Sequence, residues 1–440
     1  MLEIVEIDGH GLSMLGDRYE TLVFFEKNDA AIAARVGEIL DHEYAIEVLS
    51  HPGKEKNFIR ISSPHPVDGK LAAAFENESN VMKILPPVLP ILTPEETNIP
   101  FVTCGQMLSY NAAHKLDLAR LAINYESARG AVSAEDILGR MTAIVRTMKK
   151  SVQAGLAGTR YRDRILGCQS SLYHQKRQSG QLIDVGVLNR VILYVTAFME
   201  VKSAMGVIVA APTARSCGGL PGAVLGVADE KNCEENEIAK ALLAAGMIGI
   251  FIAKSATFAA EVGGCQAECG AGSAMAAAGL VTLMGGPAEV AVAAASMALQ
   301  NVLGMICDLV AGRVEVPCLG KNVMAAGNAV SCANMALAGY DQVIPLDEVI
   351  LAMDEVGKSL PSAVKCTARG GLSVTETSKK IQASLGKSPG RPPKKTEASI
   401  CRGGGLSAPG HRGKLHGPHQ SSTVSPTHLI DAADGECLHD

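Results

Sequence analysis

Cys265, Cys307 and Cys318 are the residues whose type and placement most readily support chemistry. They fall in two glycine-rich stretches, GGCQAECGAGSAMAAAG (263–279) and CDLVAGRVEVPCLGKN (307–322). Thiolates are soft ligands, suited to iron–sulfur clusters and zinc. Three of them can hold three corners of a cubic cluster and leave one iron open, and an open iron is a Lewis acid. Neighbouring glycines let backbone N–H groups come close to sulfur, which tunes such a centre. There is no compact Cys-x-x-Cys run, so a metal site would be assembled from separate segments. The same spacing also suits cysteines that simply pack in a core. Zinc held by Cys265, Cys269, Cys307 and Cys318 is a third arrangement, although the spacing is not a usual zinc pattern.

A second group of candidates lies in APTARSCGG (211–219). Pro212 and the glycines imply a tight, exposed turn after VIVAA. Thr213 and Ser216 offer hydroxyls, and free N–H groups at the start of a following helix form an anion nest suited to an amino-acid carboxylate. An ordinary turn between core elements would read the same way. Asn322, close behind Cys318, is placed either to orient a substrate, to donate to a cluster sulfide, or to cap a helix. Cys217 and Cys269 read as small packed residues.

Four blocks carry a family resemblance: APTARSCGGLPGAVL (211–225), GCQAECGAGSAMAAAGL (264–280), CDLVAGRVEVPC (307–318) and LPSAVKCTARGGLSVTET (360–377). In order and rough spacing they resemble the iron–sulfur-dependent L-serine dehydratases (L-serine ammonia-lyases), specifically the alpha chain or alpha domain. The resemblance covers about residues 100–384. It implies a [4Fe–4S] cluster on Cys265, Cys307 and Cys318. It also implies substrate contacts from Thr213, Arg215, Ser216, Gly218 and Asn322, and β-elimination of water from L-serine to give pyruvate and ammonia. A related lyase acting on L-cysteine or L-threonine, and a non-catalytic cluster-binding subunit, are the alternatives. The implied partners are a small amino-acid substrate and either a second copy of the chain or a separate beta chain.

Arg215 departs from the family, which usually has Gly there, and Leu309 stands where Pro is usual. A cation at 215 can strengthen carboxylate binding, block the pocket or point to solvent. The proton acceptor is unmarked. His10 in DGHG and His65 in SSPHP are weak candidates, in a segment that lacks the family's Ser-Ser-His-Thr signature.

The elements that must position these residues can be read from composition and periodicity. Of 440 residues, 47% are hydrophobic, 19% charged and 4% aromatic, with no Trp and 45 Gly. Small side chains and scarce aromatics favour closely packed helices over a β-sandwich. We therefore expect a mainly α protein: an all-helical catalytic domain over 103–385, preceded by a small α/β accessory or regulatory domain over 1–85. A Pro-rich linker over 86–102 joins them, and a disordered tail over 386–440 follows. A net charge of −5 gives no drive toward nucleic acid or an anionic membrane. The start, MLEIVEIDGHGLSML, lacks a long apolar core, so we expect no leader, reduced cysteines and a cytoplasmic location. The apolar stretches 239–260 and 274–300 are broken by Lys254, Gly-Gly-Pro and Glu289, and read as buried core helices rather than spans.

Strands are expected over 18–25, 45–50 and 57–63, with a helix over AAIAARVGEIL between the first two. Over 132–150, Ser133 with Asp136 suggests a capping box in acidic form. Ile137, Leu138, Met141, Ile144, Val145 and Met148 then recur on one face. Residues 184–205, 235–253 and 346–360 also read as helices.

Overall fold

The structure is a computed structural model that describes residues 19–25, 30–40, 45–50, 57–63, 68–75, 81–88, 99–130 and 132–385. The chain divides into two units, Met1–Arg402 and Gly403–Asp440, and every described residue lies in the first. His10, His65 and the stretch 386–440 fall outside the described residues.

Ahead of residue 99, the elements run β1 (Tyr19–Phe25), α1 (Ala30–Leu40), β2 (Ala45–Ser50), β3 (Asn57–Ser63), α2 (Asp68–Ala74) and β4 (Val81–Val88). The strands form one sheet in the order β2-β3-β1-β4, with antiparallel neighbours throughout. Val23, Ile59 and Ile61 alternate onto the buried side and meet Val36 and Leu40 of α1 and Leu71 of α2. β4 runs to Val88, three residues into the stretch assigned to the linker. Its Pro86 and Pro87 are tolerated because β4 is an edge strand and the β1–β4 register shifts between Leu85 and Val88, so neither proline has to supply a ladder bond.

The body is helical: α3 (Cys104–His114), α4 (Leu118–Gly130), α5 (Ala134–Leu156), α6 (Gln169–Gln178), α7 (Val187–Ser203), α8 (Gly219–Lys231) and α9 (Glu235–Ser255) come first. They are followed by α10 (Ala260–Gly263), α11 (Ala271–Leu283), α12 (Ala288–Gln300), α13 (Glu315–Leu337), α14 (Leu346–Ser359) and α15 (Glu376–Ser384). A single π-type turn, Gln266–Gly270, joins α10 to α11.

The Ser133 arm of the expected capping box on α5 forms, while the Asp136 side chain turns to the Ser133 hydroxyl instead of its backbone N–H. Ser133 Oγ accepts from the Asp136 N–H at 3.1 Å and donates to Asp136 Oδ2 at 2.8 Å. Ile137, Val145 and Met148 are buried on the face that the periodicity marked, while Leu138, Met141 and Ile144 are half-buried.

α11 is the hub. Every residue from Ala271 to Val281 is buried, which suits a helix that is apolar on all sides. It packs against α8, α9, α12 and α13. The close approach to α9 depends on Gly279, where a Cβ would stand 2.9 Å from the Ala241 carbonyl oxygen. The apolar stretches weighed as membrane spans are α9, α11 and α12. Among the described residues, α9 alone is long and apolar enough to cross a membrane, and 67% of its apolar window is buried in the protein. Nine described cysteines are free thiols.

Candidate active site

The site is built at the start of α11, where three segments meet. Gly264 has φ +73°, a left-handed conformation, and a Cβ there would stand 2.8 Å from the Met305 carbonyl oxygen. Only glycine turns the chain there without strain, and the turn delivers Cys265 into the interior. The π turn follows, and such turns are frequent at functional sites. Gln266 locks it in place: its N–H donates to Met305 O (3.1 Å), its Nε2 donates to Met353 O (2.8 Å), and its Oε1 accepts from Gly304 N–H (2.8 Å).

The second segment brings Cys307 against the chain after α14. Cys307 N–H donates to Val364 O, and Cys366 N–H donates to Cys307 O, both at 2.9 Å. Cys265, Cys269 and Cys307 thus belong to one buried cluster with Ala260 and Ala325, and Cys366 packs against it. Cys318 enters from the first turn of α13, where the helix dipole favours a thiolate. Asn322, one turn on, reaches both Cys318 O (2.8 Å) and Cys269 Sγ (3.6 Å) through Nδ2. Glu315 fixes the start of α13 by accepting from Tyr161 Oη (2.6 Å) and from Leu166 N–H (2.8 Å). Cys217 is fully buried, with its thiol 4.0 Å from Met199 Sδ, as packing requires.

Without a metal these thiols resist ionisation. A hydrogen bond with Cys269, then burial, pushes Cys265 far up; a hydrogen bond with Cys366, then burial, does the same to Cys307. Burial pushes Cys318 up to about 12. Cys366 alone is lowered, to about 7, by its hydrogen bond with Cys307 and by the nearby Arg215 guanidinium. Lys321 supplies positive charge beside Cys265 and Cys307, and is itself held by Ile306 O (2.7 Å) and Asp308 Oδ1 (2.6 Å).

Among the described residues, no three Cys, His, Asp or Glu side chains converge on one point as a single ion requires, so the four-cysteine zinc arrangement is not formed. An iron–sulfur cluster is a larger body and takes its thiolates from around it. Buried thiols on three segments, with glycine turns and a lysine alongside, fit that demand.

The substrate loop differs from expectation in one respect. Asn322, fully buried within α13, accepts from Gly218 N–H (3.1 Å) and Gly219 N–H (2.8 Å) through Oδ1, and donates to Arg215 O (3.1 Å). The donors expected to form an anion nest at the start of α8 are therefore met from within the protein. Gly218 and Asn322 build the loop instead of presenting free donors. Asn322 caps α8 rather than its own helix.

Two polar atoms at this loop have no partner. Ser216 Oγ and Glu268 Oε2 are both buried and unmet. Thr213 Oγ1 joins the two residues: it accepts from Ser216 N–H (3.1 Å) and donates to Glu268 Oε1 (3.1 Å). Burial raises Glu268 to about 7, against the opposing pull of Arg215 and Thr213. Arg215 points neither freely to solvent nor across the loop. Its Nη1 donates to Glu261 Oε1 (2.5 Å) and to Cys366 Sγ (3.1 Å).

Sequence reasoning did not single out Glu268 or Cys366. Both lie in blocks that carried the resemblance. The available signal for Glu268 was a carboxylate inside an otherwise apolar, glycine- and alanine-rich run, since a charge is seldom buried there without a task. The two described histidines are elsewhere: His114 stacks on Tyr110 at 4.0 Å, and His174 faces Gln178 on the surface. A cavity of about 410 Å³ lies behind Pro212, lined by apolar side chains including Met141, Ile144, Leu243 and Ile250. None of the site's thiols, hydroxyls or carboxylates lines it, so it is separate from the chemistry.

Comparison with known proteins adds to this picture. A family model described as serine dehydratase alpha chain matches residues 113–373. The probable L-serine dehydratase alpha chain of Bacillus subtilis is 38% identical over 251 residues, covering 57% of this chain and 84% of its own length. The L-serine dehydratase alpha chain of Peptoniphilus asaccharolyticus is 37% identical over 263 residues, covering 60% and 90% respectively. L-serine dehydratase 1 of Escherichia coli is 32% identical over 283 residues, covering 62% of each chain.

Proposed function

The chain belongs to the serine dehydratase alpha chain family, and from that premise we propose that it is a lyase, an L-serine ammonia-lyase that eliminates water from L-serine to yield pyruvate and ammonia. What supports the reading is that Cys265 and Cys307 share one buried cluster, that Cys318 is buried at the start of α13 within electrostatic reach of Cys265, and that Thr213 of the loop bonds Glu268 in the turn after Cys265. Cys265, Cys307 and Cys318 would hold a [4Fe–4S] cluster. When bound, a cluster with one iron lacking a protein thiolate supplies a Lewis acid for the departing hydroxyl, otherwise a poor leaving group.

The rest of the work falls to the chain's own side chains. Asn322 fixes the loop from below, so Thr213 and Ser216 keep their positions when substrate arrives. Arg215 uses Nη1 on Glu261 and Cys366, and the remaining edge of its guanidinium fork suits a substrate carboxylate. Burial of Glu268, Ser216 and the thiols keeps water away from the reacting centre, which strengthens each electrostatic contact. Two of the relatives are named as alpha chains, and a separate beta chain is part of this reading, as is a reducing, cytoplasmic setting.

The test is anaerobic reconstitution with iron and sulfide, followed by assay of pyruvate and ammonia from L-serine. Turnover that appears with the visible sulfide-to-iron band and disappears with it in air supports the reading. A protein that takes up the cluster but converts neither L-serine nor L-cysteine nor L-threonine, alone or with a beta chain, refutes it in favour of a non-catalytic subunit.

A further inference from the structure

Glu268 is 4% exposed, and one of its carboxylate oxygens has no partner. A buried, half-paired carboxylate is costly to keep unless something completes it. Its surroundings say what that is. Cys265, Cys307 and Cys318 all feel its charge, and all three become anions once they bind iron. Ser216, whose Oγ is also unmet, is tied to the same network through its backbone N–H, which donates to the Thr213 Oγ1 that in turn donates to Glu268 Oε1. Arg215 answers part of the negative charge, but its hydrogen bonds go to Glu261 and Cys366 and leave Glu268 Oε2 unmet. Two open acceptors in a field of negative charge select a small cation with several N–H donors.

We propose that Glu268 Oε2, supported by the Thr213-linked loop that carries the unmet Ser216 hydroxyl, receives the α-ammonium group of the substrate and is the specificity-determining element that admits amino acids and rejects their deaminated counterparts. The inference rests on the amino-acid lyase reading and adds a division of labour. Arg215 faces the carboxylate end, Glu268 and Ser216 face the ammonium end, and the hydroxyl is left for the cluster side. Oε1 is already held by Thr213, so Oε2 is presented in one direction without further ordering.

The experiment compares L-serine with 3-hydroxypropionate, which keeps the carboxylate and hydroxyl but lacks the ammonium. The cluster-loaded full chain is used under anaerobic conditions. Binding of each is followed by perturbation of the visible cluster band immediately on mixing, alongside kcat and KM for L-serine. The wild type is expected to bind L-serine more tightly than 3-hydroxypropionate by about 10- to 100-fold, the range of one buried charge-assisted hydrogen bond. Glu268→Gln is expected to erase most of that difference by weakening L-serine, leaving 3-hydroxypropionate within about 2-fold of its wild-type value.

If Glu268→Gln does not load the cluster, Thr213→Val carries the comparison, because it leaves the carboxylate present but unheld. Its expected loss is about 3- to 10-fold, again for the amino acid alone. Equal wild-type affinity for the two compounds overturns the proposal. So does a Glu268→Gln protein whose kcat falls while its preference for L-serine stays intact, which would make the residue a proton-transfer group. Those outcomes, seen in an enzyme that still converts L-serine, refute the inference alone. A wild type that neither binds nor converts L-serine refutes the underlying reading and the inference with it.

Discussion

The start of α8 and the turn beneath it, at Glu268, are both buried and polar, yet they are finished differently. At α8 the Gly218 and Gly219 donors are met by Asn322, and Asn322 Nδ2 in turn has three partners. At Glu268, one oxygen is met and one is not, and Ser216 Oγ nearby is unmet too. A buried polar group that the protein satisfies itself contributes to stability. One left open costs stability and waits for a ligand. Substitutions in the first region should therefore be felt in folding, and those in the second in binding.

The largest effect should come from the thiols that close the second region. Cys265→Ser, Cys307→Ser and Cys318→Ser should each lose iron, visible absorbance and activity together, by about 100-fold or more, since even outer partners of a metal site cost about 10- to 100-fold. Iron and sulfide analysis beside the assay checks this, and a variant that kept both colour and turnover would remove that cysteine from the ligand set.

Asn322→Ala probes the first region. It strands two buried N–H groups and should cost about 2–4 kcal/mol in a denaturant titration of the cluster-free protein. Glu268→Gln in the same titration should lose nothing, because it removes a buried charge rather than a completed bond. If the two variants proved equally unstable, the contrast between the regions would collapse.

Arg215→Gly lies on the boundary. It should raise KM for L-serine by about 10-fold with a smaller change in kcat, the expected loss of one charge-assisted contact. Faster turnover would show instead that the side chain obstructs the pocket.

The smallest effect concerns pH. Lys321 and the Leu372 N–H hold the Asp308 carboxyl below its ordinary value against the cost of burial. A depressed carboxyl contributes stability above its unfolded value, about 4, and loses it as pH falls through the native value. Asp308→Asn should therefore destabilise by about 1–2 kcal/mol near neutrality, less than a fully buried pair would, since Lys321 is partly exposed. The difference from wild type should shrink below about pH 4. A pH-independent difference would mean that the ion pair does not matter.

The amino-acid sequence by itself determined the local elements: α5 with its Ser133 cap, α1, β2 and β3, and the helical body around the small-residue blocks. Capping and periodicity act within one or two turns of chain, so they can be read without the fold. The motif blocks also marked where the thiols and the loop would lie. What only the tertiary structure decided is which polar atoms find partners. Asn322 meets Gly218 and Gly219 across more than a hundred residues, and Cys366 comes beside Cys307 through a bridge of two backbone bonds. Glu268 Oε2 is left without a partner by the way its neighbours pack. Hydrogen bonding has a reach of about 3 Å, so whether a buried group is met depends on how distant segments pack, which no spacing in the chain encodes.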